Sequence, residues 1–112
     1  MSTPELVRID DQGIFKYILI NITKGDTTHT VVRGWLDCDY HADVLAKFNR
    51  DEPQAGCKVS CPGGGRISRQ GQKITIFGYS VSFGKADHAV TCQLIQDKFG
   101  PNYQVEWNNE GY

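Results

Sequence analysis

The sequence predicts an α+β fold, in which one mixed β-sheet of about six strands carries two packed α-helices. Two observations lead to this prediction. Most apolar runs are short and rich in β-branched and aromatic residues, which is typical of strands. Two other segments place their apolar residues at helical spacing, and the resulting order is ββαβββαβ or close to it. The length of 112 residues suits one domain.

The N-terminal part of the chain predicts an arm followed by a strand hairpin. Residues 1–12 are polar and end in two aspartates, so we expect a flexible N-terminal arm, with the domain spanning residues 13–112. Ile14–Ile22 is apolar at both alternating sets of positions, which indicates a central strand covered on both faces. Thr30–Trp35 is a second β-rich run, and the two strands are expected to pair.

The two predicted helices differ in how they begin and end. Asp39–Phe48 has apolar residues at helical spacing, and Asp37 or Asp39 is expected to cap its start. Lys85–Phe99 is the second helix, stopped by Gly100-Pro101.

The remaining strands lie between and after these helices. Two short β-like stretches are expected around a glycine bend, followed by a long strand and a half-exposed last strand; these are Gly56–Cys61, Arg66–Gln70, Lys73–Phe83 and Tyr103–Trp107.

Composition excludes several classes of function. The net charge of −1 and the pI near 6.3 argue against nucleic-acid binding and give no reason for binding to an anionic membrane. The longest apolar run is far shorter than the ~20 residues of a membrane span. Residues 1–5 show no export signal, so we expect a cytoplasmic protein whose cysteines stay reduced. No feature of the sequence suggests an oligomer, so a monomer is expected.

The cysteines suggest two kinds of site, and the sequence argues against both. Cys57 and Cys61 form one close pair, but no second pair of Cys or His answers it, so no metal site and no cofactor are predicted. Cysteine-dependent phosphatases bind phosphate in a loop with five residues between Cys and Arg, ahead of a helix. Only four residues separate Cys61 from Arg66, and a strand pattern follows them.

His41 is the most informative histidine. It lies in the first turn of the first predicted helix, on the side of Val44 and Leu45 that faces the core. The helix dipole and partial burial both disfavour its charged form, which leaves a lone pair for a proton or a phosphorus atom. Taken alone, a histidine at such a position is more often purely structural.

Two cations stand in otherwise apolar strands ahead of this helix. Lys16 is the only charge in Ile14–Ile22, and Arg33 occupies a similar place on the next strand. A lysine is seldom buried without a partner, so the pair suggests an oxyanion site. Ser80–Gly84 connects a strand to a helix N-terminus, where backbone N–H groups can hold phosphate.

Together these features resemble the protein histidine phosphatase family, also called the Janus family. The resemblance runs in order from Gly13 to the last residue. The matching blocks are Gly13–Ile20, Val32–Gly34, Tyr40–Asp43, Gly63–Ser68, Gly78–Ser80, Phe83–Gly84, His88–Ala89 and Trp107–Tyr112.

The resemblance implies roles for five residues of the chain. The catalytic histidine of the family falls on His41, the phosphate-binding lysine on Lys16, and the substrate-contacting segment on Ser80, Val81 and Ser82. Family members often have Met and Ala where Val81 and Ser82 stand, a difference expected to affect substrate preference. Arg33 and Arg66 are expected to give outer support.

The family reaction is the hydrolysis of the phosphorus–nitrogen bond of phosphohistidine, without a metal ion or cofactor. The resemblance therefore implies a phosphatase whose partners are histidine-phosphorylated proteins. His41 would be either the general base or the phosphoryl acceptor. The alternative is a non-catalytic adaptor of the same fold, which binds phosphorylated proteins without cleaving them.

Overall fold

The computed structural model describes residues 4–110, and a six-stranded sheet with two helices accounts for most of them. The strands are β1 (Val7–Ile9), β2 (Gly13–Lys24), β3 (Thr27–Gly34), β4 (Lys58–Gln70), β5 (Lys73–Phe77) and β6 (Gln104–Trp107). The helices are α1 (His41–Asp51) and α2 (His88–Phe99).

The sheet is mixed, with the strand order β1-β3-β2-β4-β5-β6. β2 pairs antiparallel with β3 on one side and β4 on the other, and β4 pairs antiparallel with β5. The two edge strands β1 and β6 are parallel to their neighbours. The predicted α+β class is therefore confirmed.

The helices pack on opposite faces of the sheet, so β2 is buried on both sides. Alternate residues of β2 enter two separate cores: Tyr17 and Leu19 face α2, whereas Ile18 and Ile20 face α1. This is the arrangement that the two-sided apolar pattern of β2 predicts. No helix within residues 4–110 is long and apolar enough to cross a membrane.

The prediction of a loose arm over residues 1–12 was wrong for its second half. Residues 7–9 form β1, in register with β3, and Val7 is fully buried in the core beneath α2. A strand of three residues is too short to show an alternating pattern, which is why the sequence did not reveal it. The folded unit thus begins before Gly13. Residues 1–3 of the predicted arm and residues 111–112 of the last matching block lie outside the described part of the chain.

The glycine-rich segment is a strand and not a bend. β4 continues through Gly63–Gly65, with a register shift against β2 near Leu19. β5 in turn ends at Phe77, because Gly78 adopts a φ of 74° that leaves the strand conformation. The expected long strand Lys73–Phe83 is therefore a short strand followed by a loop.

Both helices begin with a histidine. The residue before α1 is Tyr40, so neither Asp37 nor Asp39 is its N-cap. α2 begins at His88, later than predicted, with Asp87 accepting a hydrogen bond from the backbone N–H of Ala89. Each helix thus points its first side chain at the sheet.

Candidate active site

The His41 ring is buried against β4. As the first residue of α1, it extends from the helix N-terminus to β4 and remains only 7% exposed. Its Nε2 atom is 2.8 Å from the carbonyl oxygen of Gly65. The ring is therefore held by the helix at one end and by a strand backbone at the other.

The glycine at position 64 makes room for this ring. A Cβ atom there would lie 2.9 Å from Cδ2 of His41 and 2.6 Å from the backbone oxygen of Tyr17. Both distances are too short for carbon contacts. The Tyr17 oxygen belongs to the backbone of the adjacent strand and cannot move aside, and the His41 ring would have to leave its place. Glycine is thus required because a side chain would occupy the place of the imidazole.

The hydrogen bond to Gly65 sets the tautomer of His41. A carbonyl oxygen can only accept, so Nε2 carries the proton and donates it. In the neutral ring, Nδ1 then holds the lone pair. This is the atom that can take a proton from water or attack phosphorus.

The surroundings keep His41 neutral near pH 7. Burial lowers its pKa below the ordinary value of 6.5, and the nearby charges of Lys16 and Arg66 act in the same direction. The hydrogen bond to Gly65 opposes them in part. The net effect is a neutral base adjacent to two fixed cations.

Lys16 and Arg66 stand opposite each other on adjacent strands. They are partners in the register between β2 and β4, and both are half-buried. Both line one cleft of about 170 Å³, which also borders residues 38–39 just ahead of α1. Within residues 4–110, Lys16 has no carboxylate partner. The cleft therefore combines two cations with the carboxylate of Asp39, so its lining is positive on balance.

Ser80–Ser82, the predicted substrate-contacting segment, lies in a tight loop that is attached to β4. Ser80 is buried, and its hydroxyl oxygen accepts a hydrogen bond from the N–H of Phe83 at 3.0 Å. Gly84 accepts from the N–H of Gly64 at 3.0 Å, and Ala86 donates to the oxygen of Gly64 at 3.0 Å. The glycine under the His41 ring thus also anchors this loop.

The two residues at the tip of the loop are exposed. The side chains of Val81 and Ser82 face solvent. Their backbone N–H groups and the hydroxyl of Ser82 are the donors that this tip can offer to an anion.

Arg33 does not take part in this group, contrary to the expectation of outer support. Its guanidinium is fully buried and forms two hydrogen bonds with Glu52, at 2.9 and 2.7 Å. It also donates to the backbone oxygens of Val32 and Glu5. Glu52 follows the last turn of α1, at the opposite end of the helix from His41. Arg33 therefore ties the helix C-terminus to the sheet.

His88 is a second buried histidine, to which the family resemblance assigns no role. His88 donates from Nε2 to the oxygen of Gly78 at 2.8 Å, and its Nδ1 accepts from the hydroxyl of Tyr17 at 2.6 Å. Thr91 donates in turn to Tyr17. Burial lowers the pKa of His88 and raises that of Tyr17. Both ring nitrogens are engaged, so His88 is structural; in the sequence it stands in the matching block His88–Ala89, near the start of the second predicted helix.

The cysteines and acidic residues of the described chain form neither a thiol-dependent phosphatase site nor a metal site. Cys61 lies within β4, not in a phosphate loop, and burial raises the pKa of its thiol to about 11. No three His, Cys, Asp or Glu side chains among residues 4–110 are placed to hold a metal ion.

Comparison with known proteins shows the family of the chain. The model of the Janus/Ocnus family matches residues 1–104. The chain is 46% identical over 110 residues to sex-regulated protein janus-A of Drosophila yakuba, covering 96% of this chain and 81% of that protein. It is 41% identical over 115 residues to the human 14 kDa phosphohistidine phosphatase, covering 95% and 91% of the two chains. The family resemblance in the sequence is thereby confirmed, and the chain belongs to the Janus/Ocnus family.

Proposed function

We propose that this protein hydrolyses the phosphorus–nitrogen bond of phosphohistidine in proteins. The observation that carries the proposal is the state of His41: a neutral ring whose Nδ1 is the lone-pair nitrogen, adjacent to two cations. A human relative with 41% identity is named a phosphohistidine phosphatase, which supports the same reaction.

The two cations and the loop divide the binding of the phosphoryl group. Lys16 and Arg66 neutralise its oxygens from the sheet. The backbone N–H groups of Val81 and Ser82 bind it from the loop, whereas the N–H of Ser80 already donates to the oxygen of Gly84 at 3.0 Å. A charge-assisted hydrogen bond is about twice as strong as a neutral one. Positioning and charge neutralisation supply most of the catalysis in phosphoryl transfer, since the transition state spreads charge over the equatorial oxygens.

His41 can act by either of two routes that use the same lone pair. As general base, Nδ1 takes a proton from the water that attacks phosphorus while the P–N bond breaks. As nucleophile, Nδ1 forms a new bond to phosphorus as the bond to the substrate histidine breaks, and water then releases phosphate from His41. Both routes give free histidine and inorganic phosphate, and neither needs a metal ion.

The weak P–N bond suits a site of this kind. Once its nitrogen is protonated, the imidazole of phosphohistidine is a good leaving group, so no Lewis acid has to activate it. A phosphomonoester has a poorer leaving oxygen. We therefore expect the site to cleave phosphohistidine in preference to phosphoserine or phosphotyrosine.

The test is phosphate release from a histidine-phosphorylated protein in the presence of EDTA. The wild type, His41→Ala and His29→Ala are compared, since His29 lies on β3 where it pairs with Ile22, at the end of β2 far from Lys16. We expect the wild type and His29→Ala to release phosphate and His41→Ala to lose at least about 100-fold in rate. Thermal denaturation checks that each variant is folded.

Three other results would contradict the proposal at different points. Activity that survives in folded His41→Ala would place the base elsewhere. Activity that EDTA abolishes would show a metal requirement. A wild type that binds the phosphorylated protein without releasing phosphate would be the adaptor.

A further inference from the structure

The cleft that contains Lys16 and Arg66 also has an apolar wall. Ile14 and Leu36 line it, and their side chains are 54% and 56% exposed. Ile14 lies two residues before Lys16 on the same face of β2, beyond the part that α1 covers. We refer to these two side chains as the apolar shelf.

Leu36 is held in place by the fold, and Ile14 is carried by β2. Leu36 packs against Gly13, where a Cβ atom would lie only 3.1 Å from its Cδ2 atom. The backbone N–H of Leu36 donates to the carboxylate of Asp10. Apolar surface that is both fixed and exposed costs free energy in water unless something covers it.

Charge across the cleft indicates what covers the shelf. The phosphoryl group belongs at Lys16 and Arg66, so a side chain next to the phosphohistidine reaches the adjoining wall. Asp39 lies on that same cleft and carries a negative charge that repels an acidic side chain. A small phosphoramidate would occupy only the part of the cleft next to Lys16 and Arg66, and the apolar shelf would stay exposed to water.

We propose that the apolar shelf binds an apolar side chain adjacent to the phosphohistidine, so that the substrate class is a polypeptide segment with an apolar flank. This inference rests on the proposed function. The shelf acts in substrate binding and touches none of the reacting atoms. It favours the substrate and the transition state equally, so it acts on KM and not on kcat.

The test compares hydrolysis of phosphohistidine peptides with hydrolysis of phosphoramidate. The peptides carry Leu, Ala or Asp directly before or after the phosphohistidine. The variants are Ile14→Ser and Leu36→Ser, with Leu36→Met preserving apolar area. Val90→Ser is the control, since Val90 is 39% exposed on α2, on the opposite face of the sheet.

For the wild type we expect kcat/KM to fall in the order Leu, Ala, Asp. Each serine variant should raise KM for the Leu peptide about tenfold with kcat unchanged, because a lost apolar contact of this size is worth about that factor. Its rate on phosphoramidate should not change. Leu36→Met and Val90→Ser should match the wild type on both substrates.

The outcomes separate this inference from the proposed function. If the serine variants match the wild type on peptides, or slow both substrates alike, the shelf does not bind the flank and the inference fails while the phosphatase stands. If the wild type cleaves neither substrate, the proposed function fails and the inference falls with it.

Discussion

Replacing Arg33 with methionine should destabilise the protein strongly without affecting the chemistry at His41. Arg33 is fully buried, and its hydrogen bonds end on Glu52 and on the backbone oxygens of Val32 and Glu5. Methionine keeps much of the apolar stem but removes every one of these donors. The Glu52 carboxylate then loses its partner at the end of α1.

The expected loss follows from the burial of the pair. Removing one partner of a buried ion pair costs about 3–5 kcal/mol. The Glu52 side chain keeps 13% exposure and has Arg8 at 4.0 Å, so we expect the lower end of that range. With 112 residues, the unfolding entropy near the midpoint is about 0.24 kcal/mol per kelvin. A loss of about 3 kcal/mol thus lowers Tm by about 13 °C.

The assay is thermal denaturation of three variants: Arg33→Met, Glu52→Met, and the two together. The double variant should be more stable than either single variant, because no charge is then left buried alone. Phosphate release per folded molecule should equal that of the wild type well below the transition. The reasoning is refuted if Arg33→Met has the same Tm as the wild type but loses turnover, since Arg33 would then act on the substrate.

Three further predictions concern the surroundings of His41. Gly64→Ala should lower the free energy of unfolding by about 1–3 kcal/mol and turnover by at least about 100-fold, because the new Cβ displaces the His41 ring. Gly25→Ala is the control: the space around Gly25 is open, so turnover should be unchanged. Lys16→Met should move the acid limb of the pH–rate profile to higher pH, because a cation that lowers the pKa of His41 is gone. Tm should be constant above about pH 6.5 and fall below it, since burial holds the pKa of His41 and His88 under the unfolded value; His88→Gln should flatten this fall.

The sequence predicts best the features that local patterns encode. The two-sided apolar run of β2 indicates a central strand, and the structure confirms it. The spacing of Val44 and Phe48 predicts α1 and the core-facing side of His41. Lys16 stands out as a charge in an apolar strand; in the structure it lines a cleft with Arg66, and its charge lowers the pKa of His41.

What the sequence could not predict depends on distant partners. Arg33 shows the same pattern as Lys16, a charge in a β-run, but its partner Glu52 follows 19 residues later across α1. Gly63–Gly65 indicates a bend because glycine is unfavourable in strands. The reason for glycine there is the packing of other elements, and nothing in the local sequence reveals it.

The two histidines show how far local position determines chemistry. His41 and His88 each begin a helix, each is buried, and each donates from Nε2 to a backbone oxygen of the sheet region. They differ at Nδ1, where His88 accepts a hydrogen bond from Tyr17. Lys16 and Tyr17 are consecutive, so the alternation of β2 sends the lysine toward α1 and the tyrosine toward α2. One strand thereby provides His41 with a neighbouring cation and occupies the lone pair of His88, which is why the proposed function uses Nδ1 of His41 and not that of His88.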